Sequence, residues 1–367
     1  MASQRRGDRN LGPKVPGTAD PAEAWTSAEV WPGAQHQLGI VAATPGESTS
    51  ERVGGQHGAT ADPTPTSTQR TGERVKNRVR LSVEQEALLD WAADKRVDLP
   101  WRSVRDPWGV LVSEVMLQQT QALRVVPKWE AFLAAYPTPH ECASAPLADL
   151  VTLWKGLGYP RRARNLHRSA KLIVEHHLGA VPEDLDALLS LPGVGPYTAR
   201  AVRAFAFEHD EAVLDTNVAR VLARRCGRRL RPAEAQAVAD EFAPIGRSWS
   251  WNQGMLDLGA LVCRPGQPDC GNCPISASCS WHLEGRPDPD PAVGSASVSR
   301  PQARFAGSDR QLRGRMLSLL IDAPLGHDQL LVAVGLDADA GRGSRLIESL
   351  ITDGLVKMHM QRLSLAT

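Results

Sequence analysis

Hydrophobic residues recur every three or four positions over most of the chain between Ser82 and Trp281, the spacing that places them on one face of a helix. Proline and glycine separate several of these helical stretches, and none shows the alternation of apolar and polar residues that is typical of a strand. The pattern therefore predicts an all-α domain over residues 79–284. Its helical segments are 84–96, 106–136, 147–159, 163–177, 183–191, 198–207 and 217–226.

The residues that precede this domain have a different composition. They are rich in glycine, proline, serine and threonine and show no hydrophobic periodicity. Such a segment buries too little apolar surface to offset the entropy lost on ordering. Residues 1–78 are therefore predicted to be a disordered extension, and a start site assigned too far upstream is the alternative.

The C-terminal part of the chain has a third pattern. A linker rich in proline, glycine and serine covers residues 285–303. Three short helical segments follow, and then an alternating stretch, 355–366, that predicts a pair of strands. This order resembles a small winged-helix-like module over residues 304–367, and a packing appendage is the alternative. The three helical segments are 310–322, 327–334 and 344–354.

Composition narrows the class of protein but leaves its partner open. The chain is 42% hydrophobic and 23% charged, as in ordinary globular proteins. It has no run of about 18 apolar residues and no apolar secretory signal at its N-terminus, so we expect no membrane association. The formal net charge of +1 neither indicates nor excludes a nucleic-acid partner, so that question depends on local features.

Four of the six cysteines lie within 17 positions, whereas Cys142 and Cys226 stand alone. One crowded group argues against an extracellular disulfide framework and for a metal or cluster site in a reducing compartment. Structural zinc sites more often have two separated CxxC pairs. The single close pair here favours an iron–sulfur cluster, with zinc and free thiols as alternatives. The four residues, spaced x6, x2 and x5, are Cys263, Cys270, Cys273 and Cys279.

The stretch Leu191–Ala201, LPGVGPYTARA, predicts a tight turn between two helices. Gly193 and Gly195 permit a positive φ in this turn, and Val194 between them packs inward. The second helix then begins with free N–H groups, which makes its N-terminus a site for an anion such as a phosphate. An ordinary turn of an αα-hairpin is the alternative.

Two runs of basic residues lie on either side of this hairpin in the sequence. They fit a surface that contacts nucleic acid, although such a run is also typical of a solvated helix face. The runs are Arg161, Arg162, Arg164, His167, Arg168 and Lys171, and Arg220, Arg224, Arg225, Arg228, Arg229 and Arg231.

Two carboxylates are candidates for acid–base chemistry. Glu114 lies in an apolar stretch, where burial without a partner raises the pKa of an acid and keeps it protonated. Asp215 precedes a helical segment, where a simple N-cap is the alternative interpretation. One protonated acid and one ionised carboxylate on either side of a sugar cation are what cleavage of a glycosidic bond requires.

Several motifs together resemble one family of DNA repair enzymes. They occur in the family's order: LPWR, SEVMLQQTQ, GLGY with ARNLH, LPGVGPYTA, LDTNV and NQGMLDLGALVC. The family is MutY, the A/G-specific adenine DNA glycosylases of the endonuclease III-like helix-hairpin-helix superfamily, and the resemblance covers about residues 84–284. It implies a cytoplasmic, nucleoid-associated monomer. This enzyme would be a monofunctional hydrolase that removes adenine mispaired with 8-oxoguanine or guanine from double-stranded DNA in base excision repair.

The resemblance also implies roles for individual residues around the reacting base. Glu114 would protonate adenine N7, and Asp215, 18 positions after Tyr197, would stabilise the sugar cation or bond to it transiently. Tyr197 and Asn217 would assist them. The adenine pocket would be lined by Trp101, Arg102, Leu117 and Gln253.

Further residues would hold the DNA and a cofactor. Gln118 would contact DNA, and Gln119 and Tyr159 would wedge into the duplex. Gly193 and Gly195 would lie at a bound phosphate, helped by a monovalent cation on the carbonyls of the turn. A [4Fe–4S] cluster that fixes a loop (263–279) would be held by Cys263, Cys270, Cys273 and Cys279.

Two rival functions share parts of this pattern. An endonuclease III-type glycosylase/lyase needs a lysine in the hairpin helix, where this chain has Tyr197, and it lacks the acid at Glu114. A non-catalytic iron–sulfur DNA-binding protein would need no acid in an apolar helix. The chain also departs from the MutY pattern, because the module at 304–367 replaces a longer Nudix-like domain that reads 8-oxoguanine.

Overall fold

A computed structural model describes residues 81–298 and 304–367 of the protein. The extension predicted for residues 1–78 lies outside these residues. The described residues up to 298 form twelve α-helices and no strand, which confirms the all-α prediction. The helices are α1 (Val83–Lys95), α2 (Pro107–Leu117), α3 (Ala122–Ala135), α4 (Pro139–Ser144), α5 (Leu147–Leu153), α6 (Arg161–His176), α7 (Leu185–Ser190), α8 (Pro196–Phe205), α9 (Thr216–Arg225), α10 (Pro232–Phe242), α11 (Ser248–Asp257) and α12 (Ser280–Leu283).

One long predicted segment, 106–136, forms two helices, α2 and α3. The first helix ends at Leu117, because Gln118 leaves the helical backbone with a ψ of 108° and Gln119 follows with a φ of 58°. Periodicity missed this break because apolar residues keep a helical spacing on both sides of it. At the start of α2 the Asp106 carboxylate accepts a hydrogen bond from the Gly109 N–H at 2.7 Å, so the helix begins at a capped position.

Four helices lie wholly or mostly outside the predicted segments, and one of them, α12, has only four residues. Helix α4 has only six residues, too few to show a period, and is defined by a capping box between Thr138 and Glu141. Helix α10 presents mainly alanine to the core. Helix α11 buries Asn252 and Gln253 as well as apolar side chains, so its sequence lacks a clean apolar stripe.

The core of this region consists of two hydrophobic clusters. Helices α2, α3, α5, α6 and α8 pack around residues such as Leu111 and Phe132. Helices α1, α9, α10 and α11 pack around residues such as Leu222 and Trp251. None of these helices is long and apolar enough to span a membrane. The division into two clusters matters for the site, because the side chains of chemical interest come from both.

The first part of the expected linker packs against the second cluster. Arg224 donates a hydrogen bond to the Asp290 carboxylate, with 2.6 Å between Nη2 and Oδ2. The Ala296 N–H bonds the Leu230 carbonyl at 2.9 Å, and Ala292 between these anchors is buried. Composition did not reveal this packing, because the partners of residues 290 and 296 lie 66 positions away in the sequence.

The C-terminal residues form three helices and a small antiparallel sheet with the order β1-β3-β2. The three expected helices and the expected strand pair are present, and a two-residue strand precedes the second of these helices. The winged-helix-like character of this module stays a prediction. Its elements are α13 (Asp309–Asp322), β1 (Leu325–Gly326), α14 (His327–Val334), α15 (Ala340–Thr352), β2 (Val356–His359) and β3 (Arg362–Leu365).

Gly259 permits close packing between a π-helical turn, Leu258–Val262, and the first turn of α9. A Cβ on Gly259 would lie 2.6 Å from the Asn217 Cβ and 2.9 Å from the Asn217 carbonyl oxygen. We predict that Gly259→Ala lowers the free energy of unfolding by roughly 1–3 kcal/mol, because the backbone of α9 must shift. Urea denaturation monitored by circular dichroism measures this change.

Gly314→Ala is the matched control for this prediction. Gly314 is an exposed helical residue of α13, and a Cβ there meets no atom of the described residues within 4 Å. Alanine at this position is expected to stabilise the helix by roughly 0.5–1 kcal/mol. Equal effects of the two substitutions would contradict the packing argument.

Candidate active site

Glu114 lies on α2 among buried apolar residues, and its side chain is itself buried, with 5% of the residue exposed. Its Oε2 atom has no hydrogen-bond partner among the described residues. Burial raises the pKa of this carboxyl from 4.5 to about 7, whereas hydrogen bonding to Tyr197 has the opposite effect. A large fraction of the molecules therefore keeps a proton on Glu114 near neutral pH.

Asp215 lies at the N-terminus of α9 as its N-cap residue, so the prediction that it caps this helix is confirmed. Its Oδ1 accepts hydrogen bonds from the backbone N–H groups of Asn217 and Val218, at 2.8 and 2.7 Å. Its Oδ2 accepts one from the Asn217 side-chain amide at 2.9 Å. Burial raises the pKa of Asp215, but these donors and the charge of Arg220 favour its ionised form. The cap therefore also fixes a carboxylate that is easier to ionise than Glu114.

Glu114 and Asp215 line the same cavity, which has a volume of about 370 Å³. This volume lies in the range of roughly 300–1,000 Å³ that is typical of small-molecule sites. Ten of the predicted site residues line it: Trp101, Arg102, Glu114, Leu117, Gln118, Gln119, Tyr197, Asp215, Asn217 and Gln253. Tyr159, Gly193, Gly195 and the four clustered cysteines are not in this lining.

The cavity also contains an ion pair that the sequence did not suggest. Arg102 binds Asp257 through two parallel hydrogen bonds, each 2.8 Å long, and the two side chains are 9% and 4% exposed. Arg102 also donates to the Val97 carbonyl at 2.8 Å. The negative charge of Asp257 offsets that of Arg102, which on its own lowers the pKa of Glu114. The sequence does offer one signal for Asp257, because this acid lies one helical turn after the predicted pocket residue Gln253 in a buried helix.

The turn between α7 and α8 is only partly as predicted. Gly193 has a positive φ of 81°, and Val194 is buried, as expected. The expectation for Gly195 is wrong, because this residue has an extended backbone with φ −102° and serves as the N-cap of α8. No side chain within residues 81–298 or 304–367 caps α8, so the N–H groups of its first turn are available to an anion.

Gln118 connects this turn to the cavity. Its side-chain amide donates to the Gly193 carbonyl at 3.2 Å and to the Thr198 hydroxyl at 3.3 Å. The predicted phosphate site and the carboxylates are therefore joined by a single side chain that also lines the cavity.

Several members of the two basic runs are buried, which contradicts both the DNA-surface and the solvated-face interpretation for those residues. Arg220 and Arg224 are 5% and 2% exposed, and each donates to the Cys263 carbonyl. Arg162 and His167 are also buried. Sequence spacing could not reveal this, because the partners are carbonyls and carboxylates distant in the chain.

Arg162 connects the turn after α2, which lines the cavity, to the turn that carries Tyr159. Its guanidinium donates to the Gln118 carbonyl at 2.6 Å and to the Leu157 and Gly158 carbonyls at 2.9 Å each. Gln119 and Tyr159, the predicted wedge residues, follow these carbonyls and have positive φ values of 58° and 48°. Residues held in this backbone region cost about 1–3 kcal/mol each and cluster at functional sites.

The four clustered cysteines line a second cavity, together with Arg224 and Trp281. Arg224 Nη1 lies 3.3 Å from the Cys263 sulfur, and burial raises the pKa of Cys273 to about 12. At this pKa the Cys273 thiol becomes a thiolate near neutral pH only when a metal centre binds it. The four cysteines around this cavity are the donor set that a cubane cluster takes, and among the described residues no group of side chains is placed to hold a single metal ion.

The sequence is similar to those of known DNA repair proteins. Residues 112–243 match the HhH-GPD superfamily of base excision DNA repair proteins. The chain is 39% identical over 282 residues to the adenine DNA glycosylase of Mycolicibacterium smegmatis, which covers 76% of this chain and 94% of that protein. It is 40% identical over 276 residues to the adenine DNA glycosylase of Mycobacterium tuberculosis, over 73% of this chain and 88% of that protein.

The fold has a match among solved structures. The structure of a thermostable thymine-DNA glycosylase superimposes with a TM-score of 0.52 at 30% sequence identity, over 55% of this chain and 96% of that one. The superposition therefore covers about half of the chain.

Proposed function

Because the chain belongs to the adenine DNA glycosylase family, we propose that it hydrolyses the N-glycosidic bond of adenine mispaired with 8-oxoguanine or guanine in duplex DNA. The enzyme is a DNA glycosylase of base excision repair, a hydrolase. The observation that carries the proposal is the shared cavity of Glu114 and Asp215, two carboxyl groups with unlike surroundings.

Glu114 acts as the general acid. The C1′–N9 bond of the nucleoside breaks with its electron pair moving into the adenine ring, and the Glu114 proton passes to adenine N7 so that a neutral base leaves. The burial that raises the pKa of Glu114 to about 7 keeps this proton available. Tyr197, also raised in pKa by burial, stays a neutral phenol and orients the carboxyl through a hydrogen bond.

Asp215 stabilises the positive charge that develops on the sugar. Its carboxylate is oriented by the backbone of α9 and by Asn217, so little reorganisation is needed when the cation forms. A water molecule then adds to C1′ and passes a proton to the Glu114 carboxylate, which restores the acid and completes the hydrolysis.

The remaining residues bind and orient the substrate. Trp101, Leu117 and Gln253 surround the extruded adenine, and Arg102 is held beside it by Asp257. Gln119 and Tyr159 occupy the gap in the duplex that extrusion leaves. Extrusion costs a few kcal/mol and least at a mispair, which favours mispaired adenine.

Two sets of residues outside the cavity have supporting roles. One set binds DNA, and the other stabilises the fold. The first turn of α8, with Gly193 and Gly195, binds one DNA phosphate, and the carbonyls of the turn would hold a monovalent cation. Cys263, Cys270, Cys273 and Cys279, which line one cavity, would hold a [4Fe–4S] cluster. When bound, the cluster supplies covalent cross-links that fix the loop 263–279 against Arg224 on α9.

We predict that Glu114→Gln lowers the rate of adenine release by roughly 10²–10⁴-fold, because the amide cannot donate the required proton. Binding to the same duplex is expected to stay close to that of the unchanged protein. Single-turnover release from a duplex with adenine opposite 8-oxoguanine, together with a gel-shift titration, measures both quantities.

Glu130→Gln, at an exposed position on α3, is the matched control and should leave the rate unchanged. Near-normal release by Glu114→Gln would overturn the proposed role. A strong covalent adduct with DNA on borohydride treatment would instead favour the glycosylase/lyase, which needs an amine where this chain has Tyr197.

The cluster proposal has its own test. Protein purified without oxygen should contain iron and inorganic sulfide in equal amounts, about four of each per chain. Cys270→Ser should lower the iron content sharply, whereas Cys226→Ser, outside the lining of the cysteine cavity, should retain it. One zinc per chain and no iron would show that the alternative metal site is correct.

A further inference from the structure

The C-terminal module contacts the turn that carries Tyr159. Arg310, in the first turn of α13, donates a hydrogen bond from Nη1 to the Tyr159 hydroxyl at 2.7 Å. Its guanidinium carbon lies 5.6 Å from the centre of the Tyr159 ring, and that of Arg162 lies 5.5 Å from the same centre. Two guanidinium groups therefore lie against this phenol ring. That of Arg310 comes from the C-terminal module, and that of Arg162 comes from the helical domain.

An apolar seam and a polar seam fix the module in this position. On the apolar side Val151 and Trp154 share a small cavity with Leu317 and Ile321 of α13. These residues of the module belong to the first hydrophobic cluster or pack against it.

On the polar side three arginines converge on Asp353, a buried residue at the end of α15. Arg161 Nε lies 3.3 Å from its carboxylate, and Arg313 of α13 also pairs with that carboxylate. Arg164 donates to the Asp353 backbone carbonyl. The module therefore contacts the first turns of α6, a helix that begins two residues after Tyr159.

We propose that Arg310 is a positioning residue for Tyr159, so that the C-terminal module sets how strictly the enzyme discriminates between bases opposite adenine. This inference rests on the proposed function, in which Tyr159 enters the duplex. Tyr159 has a φ of 48°, a conformation that persists only when surrounding contacts determine it. Arg162 fixes the backbone of the turn, and Arg310 fixes the far end of the side chain.

The physical link to specificity is rigidity. A side chain free to change its rotamer adapts to any opposite base, so complexes with right and wrong bases differ little in free energy. A side chain held from both ends presents the same surface to each opposite base, and a misfit then costs binding or rate. The module thereby influences the opposite strand through one side chain of the glycosylase domain.

A double-mutant cycle of Arg310→Ala and Tyr159→Phe tests the proposal. Each single variant should lower the ratio of release rates for adenine opposite 8-oxoguanine and opposite cytosine by about 3–10-fold, the effect of one lost hydrogen bond. The double variant should lower the ratio no further than either single variant. Arg310→Lys, which keeps a donor and a positive charge, should restore part of the ratio.

Arg342→Ala is the matched control. Arg342 is an arginine of the same module, on α15, and it bonds the Asp309 carboxylate at 2.8 Å and the Gly307 carbonyl at 2.9 Å. It should leave the ratio unchanged. An unchanged ratio in Arg310→Ala, or an equal loss in Arg342→Ala, would overturn the proposal and assign Arg310 a purely structural role.

A spectroscopic readout separates this inference from the proposed function. The chain has three tyrosines, Tyr136, Tyr159 and Tyr197, so fluorotyrosine labelling gives three resonances in a fluorine NMR spectrum. Arg310→Ala should shift or broaden the Tyr159 resonance alone, which Tyr159→Phe identifies by its loss. If the unchanged protein released no adenine, the proposed function would fail. An unmoved Tyr159 resonance in Arg310→Ala would still refute the positioning role by itself.

Discussion

The loss of water around the Glu114 carboxyl is the constraint on which the site depends. Helix α2 is buried nearly all round, so Glu114 lies in an apolar environment that disfavours its charged form. The change in pKa from 4.5 to about 7 corresponds to roughly 3 kcal/mol against ionisation. Tyr197 and Arg102 oppose this effect, and the pairing of Arg102 with Asp257 limits how far they do so. The fold therefore accepts a destabilising acid at the place where a proton donor is needed.

The two hydrophobic clusters explain why this acid faces a different kind of carboxylate. Glu114 and Tyr197 lie on helices of the first cluster, whereas Asp215 and Gln253 belong to helices of the second. Asp215 is solvated by the N-terminus of α9 in place of water, so its charged form is supported where that of Glu114 is not. The same principle recurs with opposite sign at Arg162, because this buried guanidinium donates to several carbonyl groups and to the Thr120 hydroxyl in place of water.

The sequence predicted the helices with a clear period, the buried acid, the cysteine group and most of the cavity lining. These features depend on local spacing or on family motifs that are continuous in the chain. What it missed depends on contacts between distant segments. Asp257 accepts a hydrogen bond from Arg102, 155 positions away, and Arg310 donates one to Tyr159, 151 positions away. The buried arginines were assigned to the surface for the same reason, since only tertiary structure supplies their partners.

The pH dependence of adenine release in a single turnover tests the central claim most directly. Because only protonated Glu114 donates, the rate should be nearly constant just below its pKa of about 7 and should fall about tenfold per pH unit above it. At lower pH the rate should fall again as Asp215 takes up a proton. The alkaline decline should be absent from the residual activity of Glu114→Gln. A rate that stays constant from about pH 6 to about pH 9, or a decline retained in that variant, would contradict the account.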